Sequence, residues 1–71
     1  MAKNVDHREQ LEYVFKGRTF DATYTVSNGM VHVTSIQARK SAQHAATPVQ
    51  MIAEQLFREI IHDADALGSL R

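Results

Sequence analysis

Four histidines, His7, His32, His44 and His62, are the side chains in this sequence best suited to hold a metal or move a proton at neutral pH. Their spacing speaks against both roles. No two share the i,i+4 or short-loop separation that metal ligation favours, and neither an HExxH nor a CxxC motif occurs. Cysteine is absent, which removes a thiol nucleophile, an iron–sulfur centre, a zinc–cysteine site and any disulfide framework. Asp65 follows His62 closely, but a histidine there already suits the negative end of a helix dipole. Nucleophilic catalysis needs a hydroxyl beside an oriented base. Ser41 and His44 lie near each other with no carboxylate in the same stretch. Paired carboxylates are also missing, because Glu9 and Glu12 precede the core while Asp63 and Asp65 sit at a solvated terminus. No phosphate-cradling glycine loop can be drawn from 3 glycines that turns and a helix end already use. The reading is a protein that is not an enzyme, with no cofactor and no metal.

One segment does carry positive chemical content. Arg39-Lys40-Ser41-Ala42-Gln43-His44 places cations, a hydroxyl, an amide and an imidazole just upstream of a helix start. Free backbone N–H groups and the positive end of the dipole suit such a place to an anion. Arg39, Lys40, Ser41 and His44 are therefore the candidate anion site. Weak nucleic-acid or phosphate-ligand binding through this basic loop is the alternative function.

The elements that must position these groups follow from the hydrophobic pattern. The chain of 71 residues has room for one small domain, and its 44% apolar and 23% charged residues fit a globular one. Zero net charge argues against a non-specific nucleic-acid coat or a membrane-surface anchor. The charged start and the lack of a long apolar run lead to an expectation of a cytoplasmic protein with no membrane contact. Residues 1–9 are polar and read as a flexible arm, with a single domain over 10–71.

From Leu11 the period is two. Leu11, Tyr13 and Phe15 alternate with polar neighbours up to Lys16-Gly17, a tight turn. Phe20, Ala22, Tyr24 and Val26 alternate likewise up to Asn28-Gly29, the strongest hairpin signal in the chain. Met30 to Ile36 form the third strand. A two-residue second loop sets Val26 opposite Val31 and Tyr24 opposite Val33. The first loop sets Tyr13 opposite Phe20, or Phe15 opposite Phe20 if it slides. One face then gathers Leu11, Tyr13, Phe15, Phe20, Ala22, Tyr24, Val26, Val31 and Val33 as a core. The outward face carries Thr23, Thr25, His32 and Thr34 but also Val14, Met30 and Ile36, and it is a second candidate surface for a partner.

Residues 37–46 show neither period and read as a loop. Thr47-Pro48-Val49-Gln50 reads as a capped helix start, with Thr47 as N-cap, Pro48 first in the helix and Gln50 closing a capping box. Val49, Ile52, Ala53, Leu56, Phe57, Ile60, Ala64 and Leu67 follow the spacing of an amphipathic helix stopped by Gly68. Glu54 and Arg58 stand at i,i+4 for an ion pair. The fold class is α+β: a three-stranded antiparallel meander packed against one C-terminal helix. The apolar stripe covers roughly 140° of the helix, and Ile61 widens it. Three short strands leave such a stripe partly bare, and domains below about 70–80 residues are marginal alone. A homodimer is expected, with Ile61 and Leu67 in the contact. The leading function is a small non-catalytic interaction domain that homodimerises, and the sequence names no other protein partner.

Two resemblances accompany these elements. Strand, strand, strand, helix with Arg39-Lys40-Ser41 ahead of the last element looks like the C-terminal part of a double-stranded-RNA-binding domain, which reads RNA by shape and phosphate. Lys40 and Arg39 would be its phosphate contacts. The chain departs from that family in its short polar N-terminus, in lacking repeated lysines, and at Pro48. Phe20-Asp21-Ala22-Thr23-Tyr24-Thr25-Val26, Gly29-Met30-Val31-His32-Val33 and Lys40-Ser41-Ala42-Gln43 with the Pro48 helix are similar to small uncharacterised bacterial, mainly proteobacterial, proteins of ββα type. That likeness covers 11–67 and implies a fold and a bacterial origin, with no activity attached.

Overall fold

Two turns set the register of the sheet. In the computed structural model, which describes residues 8–70, Lys16 and Gly17 have φ of 53° and 77°, and Asn28 and Gly29 have 52° and 75°. Consecutive positive φ values make both hairpins type I′, the turn whose twist matches that of paired strands. The strands are β1 (Glu9–Phe15), β2 (Arg18–Ser27), β3 (Met30–Ser35) and β4 (Arg39–Gln43), followed by helix α1 (Val49–Ala66). Tyr13 pairs with Phe20, Val26 with Val31 and Tyr24 with Val33, so both hairpin registers are those the turns require. Of the expected arm, positions 1–7 lie outside the described residues, while Glu9 already pairs with Tyr24 in β1.

The sheet has four antiparallel strands in the order β1-β2-β3-β4, which corrects the three-stranded meander. Residues 39–43, read from sequence as loop, pair with β3: Val31 with Ala42, His32 with Ser41, Val33 with Lys40. The cause is tertiary, because a wide helix stripe needs cover and strand propensity yields to it. Leu11, Phe20, Ala22, Val31 and Val33 from the sheet meet Ala53, Leu56, Phe57, Ile60 and Ile61 from the helix, all buried, and Ala64 is buried as well. Tyr13, Phe15, Tyr24, Val49, Ile52 and Leu70 close the rim.

Ile61 is 0% exposed, so the stripe that implied a partner is covered by the chain's own sheet. Leu67 is 81% exposed and stands apart from Ile61. The two are therefore not one contact surface. Gly68 does end the helix. Its positive φ of 73° allows the Ser69 N–H to reach the Ala64 carbonyl at 2.8 Å and the Gly68 N–H the Asp65 carbonyl at 3.0 Å, a Schellman close.

The helix start differs from the expected capping box. Pro48, at φ −56° and ψ 137°, is itself the N-cap and no side chain caps the first turn. Its carbonyl accepts from Met51 and Ile52 at 3.1 and 3.3 Å. Gln50 donates along the helix to Glu54 at 3.1 Å, so Glu54 is engaged by an amide where Arg58 was the expected partner.

Candidate functional site

Strand alternation decides where the four basic-loop residues go. Arg39 and Ser41 pair with Thr34 and His32 and share their outward face, whereas Lys40 lies on the helix side. Lys40 Nζ donates to Glu59 Oε1 at 3.2 Å and stands 3.3 Å from Asp63 Oδ2. His44 follows the strand, half-buried, and its N–H donates to the Gly29 carbonyl at 3.2 Å. The structure thus brings Arg39 and Ser41 together and sends Lys40 to a different partner.

Hydrogen bonds donated to Glu59 and then to Asp63 hold the Lys40 ammonium above its ordinary pKa of 10.5, with the carboxylate charges adding to the effect. A raised folded-state value means that the stabilisation is complete below 10.5 and is lost as pH climbs through the folded value. The wild-type melting temperature should therefore drop more steeply above pH 10.5 than that of Lys40→Met, with a constant difference between about pH 7 and 9. Other groups titrating at high pH act on both proteins and cancel in the comparison. Parallel melting curves through pH 11 or so would contradict the assignment.

Sequence reasoning placed His32 on the outward face without giving it a role. In the sheet it is the centre of a polar row, Thr25, His32, Ser41, beside a second row, Thr23, Thr34, Arg39. Its Nδ1 and the Ser41 hydroxyl are 2.8 Å apart, and its Nε2 and the Ser27 hydroxyl 3.4 Å. The face is polarised. Glu12 and Asp21 are direct cross-strand neighbours toward the Lys16-Gly17 end, and such like-charge pairs destabilise a sheet slightly. Arg39 and Arg8 line shallow depressions on either side of His32 and Thr34 at the other end.

The remaining polar clusters brace the edge of the fold. The Tyr13 hydroxyl and His62 Nε2 are hydrogen-bonded at 3.0 Å, the Phe15 and His62 rings lie 4.8 Å apart, and Lys16 Nζ donates to Asp65 at 3.1 Å. These ties fasten β1 to the last turns of α1. They hold no spare nucleophile, and among the described residues no group of three metal-ligating side chains converges.

β1 presents the other distinctive surface. A two-residue I′ turn makes Phe15 and Arg18 a hydrogen-bonded pair, so Tyr13 and Leu11 also bond toward β2. The backbone groups of Gln10, Glu12 and Val14 then face outward from the sheet. Beside them runs a groove of about 240 Å³ between β1 and α1, with Leu11, Tyr13 and Phe57 among its walls and Glu54 and Arg58 on the helix side. No helix among the described residues is long and apolar enough to cross a membrane. No protein-family model, no curated protein and no solved structure matches this chain.

Proposed function

We propose that this chain is a non-catalytic interaction module that homodimerises by pairing the β1 edges of two copies into one continuous sheet. The observation that carries the reading is the contrast between the two sheet edges. Natural sheets blunt an edge by making it short or by pointing a charge inward. β4 does both, with five residues and an inward Lys40 whose carboxylate partners a docking strand would desolvate. β1 is longer, at seven residues, and turns Leu11, Tyr13 and Phe15 toward the core.

Two-fold pairing centred on Glu12 sets Gln10 opposite Val14 and Leu11 opposite Tyr13 of the second copy. The outward N–H and C=O groups then exchange about six hydrogen bonds, and Val14, 65% exposed in the single chain, gains cover. Each bond contributes only about 0.5–1.5 kcal/mol net, against an association cost of about 4 kcal/mol or more. The dimer is therefore weak, with a Kd of about 0.2 mM or above. Glu12 meets its own copy across the axis, a repulsion that limits the affinity further.

Sedimentation equilibrium from about 10 µM to 1 mM tests this, with a mass rising from 8.0 kDa toward twice that value. Glu12→Pro deletes an outward N–H without touching the ladder to β2, and the protein should stay monomeric. Glu12→Gln removes the central repulsion and should tighten the dimer by up to about fivefold. A monomer at 1 mM or so, or a dimer indifferent to both variants, would overturn the proposal.

A further inference from the structure

We infer that the outward sheet face holds a binding site for a phosphate group, built around His32 by Arg39, Ser41 and Thr34 with Arg8 and Thr25 on its far side. Two shallow depressions share His32 and Thr34: one includes Arg39 and Ser41, the other Arg8 and Thr25. Neither is lined by a carboxylate. The acidic pair Glu12 and Asp21 lies two side-chain rows from the His32 row, about 14 Å along the strands, and one row from Thr34 and Arg39, with Asp21 and Thr34 lining a separate depression. A ligand on the His32–Ser41 row meets guanidinium groups and hydroxyls, with the nearest outward carboxylates beyond the Thr34–Arg39 row.

The donor chemistry selects the ligand class. Arg39 and Arg8 each offer a planar fork that matches a phosphate oxygen pair. The 2.8 Å contact between His32 Nδ1 and the Ser41 hydroxyl sets that hydroxyl in place. With the proton on Nδ1, the ring donates to Ser41 and leaves the serine O–H free to donate outward. A tetrahedral oxyanion accepts all of these together, whereas a single carboxylate has fewer acceptor positions to offer. Half-buried Thr25 and His32 support the row without covering it. The site belongs to one chain and does not depend on pairing of the β1 edges.

A phosphate of this kind comes from a small phosphorylated ligand or from a nucleic-acid backbone, and two probes separate the sources. Inorganic phosphate, titrated at constant ionic strength with chloride as control, should shift the amides of His32, Thr34, Arg39 and Ser41 selectively. A single-stranded RNA oligonucleotide of mixed sequence should shift the same amides. If the backbone is the source, its affinity exceeds that of phosphate and log K falls with log salt at a slope of about −1.4, for contacts from Arg8 and Arg39. Arg39→Ala should weaken either probe about tenfold or more, Ser41→Ala less, and Arg58→Ala, on the helix, not at all. Selective shifts with phosphate alone, or stronger ones with RNA, both uphold the site and name its source. No selective shift with either probe, or shifts that survive Arg39→Ala in a folded protein, would overturn it.

Discussion

Ile61→Glu is expected to unfold this protein. Ile61 is 0% exposed, fully buried on the helix face that the sheet covers. A carboxylate forced into that position finds no cation among the buried residues of the described part of the chain, all of which are apolar. The effective penalty for an unpaired buried ion is several kcal/mol, even after relaxation. A single core in a domain of this size supplies about 3–5 kcal/mol in total. The variant should therefore lose its cooperative melting transition and its dispersed amide spectrum at 25 °C or so. Leu67→Glu is the contrast. At 81% exposure it should change stability by less than about 0.5 kcal/mol. A folded Ile61→Glu protein would mean that the helix is rotated on the sheet.

The second large effect concerns the tip of the β2–β3 hairpin. Gly29 has φ 75°, and a Cβ built there meets nothing within 4 Å. The cost of a side chain is then purely that of the left-handed backbone, which a β-branched residue scarcely adopts. Gly29→Val should destabilise the protein by about 1–3 kcal/mol, measured by urea denaturation with an unchanged m value. Gly29→Asn should cost much less, because asparagine tolerates positive φ. The Gly29 carbonyl also accepts the His44 N–H at 3.2 Å, so distortion of the turn loosens the end of β4. A Gly29→Val variant within about 0.5 kcal/mol of wild type would show that the turn is not type I′ in solution.

Much of this architecture is legible in the residues. Asn28-Gly29 and Lys16-Gly17 fix two registers because a two-residue turn leaves no freedom in pairing. The helix and its end follow from apolar spacing and Gly68. β4 is not legible, and Lys40 is the reason. Its core-side positions are Lys40 and Ala42, so the period-two alternation exists but a salt-bridged lysine hides it. Arg, Lys, Ser, Ala and Gln also have weak strand preference. The width of the helix stripe did contain the missing information. It required more cover than three strands give, and the chain supplies that cover itself through β4. Thr47 misled for a related reason: Pro48 in an extended conformation occupies the cap position and leaves no role for a capping box.

The candidate site was half legible. Arg39 and Ser41 stood out as chemistry-bearing residues, and His32 was already placed on the outward face. What joins them is the β3–β4 ladder, which sets His32 opposite Ser41 and Thr34 opposite Arg39. Without a strand at 39–43 there is no way to tell that Lys40 and Arg39 point to opposite sides. β1 is an edge already in the expected meander, but the contrast with the opposite edge needs β4, which takes that place from β3.

Backbone amide exchange of the wild-type protein at two concentrations tests the dimer most directly. Gln10, Glu12 and Val14 donate outward from β1, so their amides exchange freely in a monomer and bond only to a second copy. At about 1 mM these three should be protected at least several-fold more than at about 10 µM, while Leu11 and Tyr13, bonded to β2, should change little. Equal exchange of Gln10, Glu12 and Val14 at both concentrations would contradict pairing at this edge.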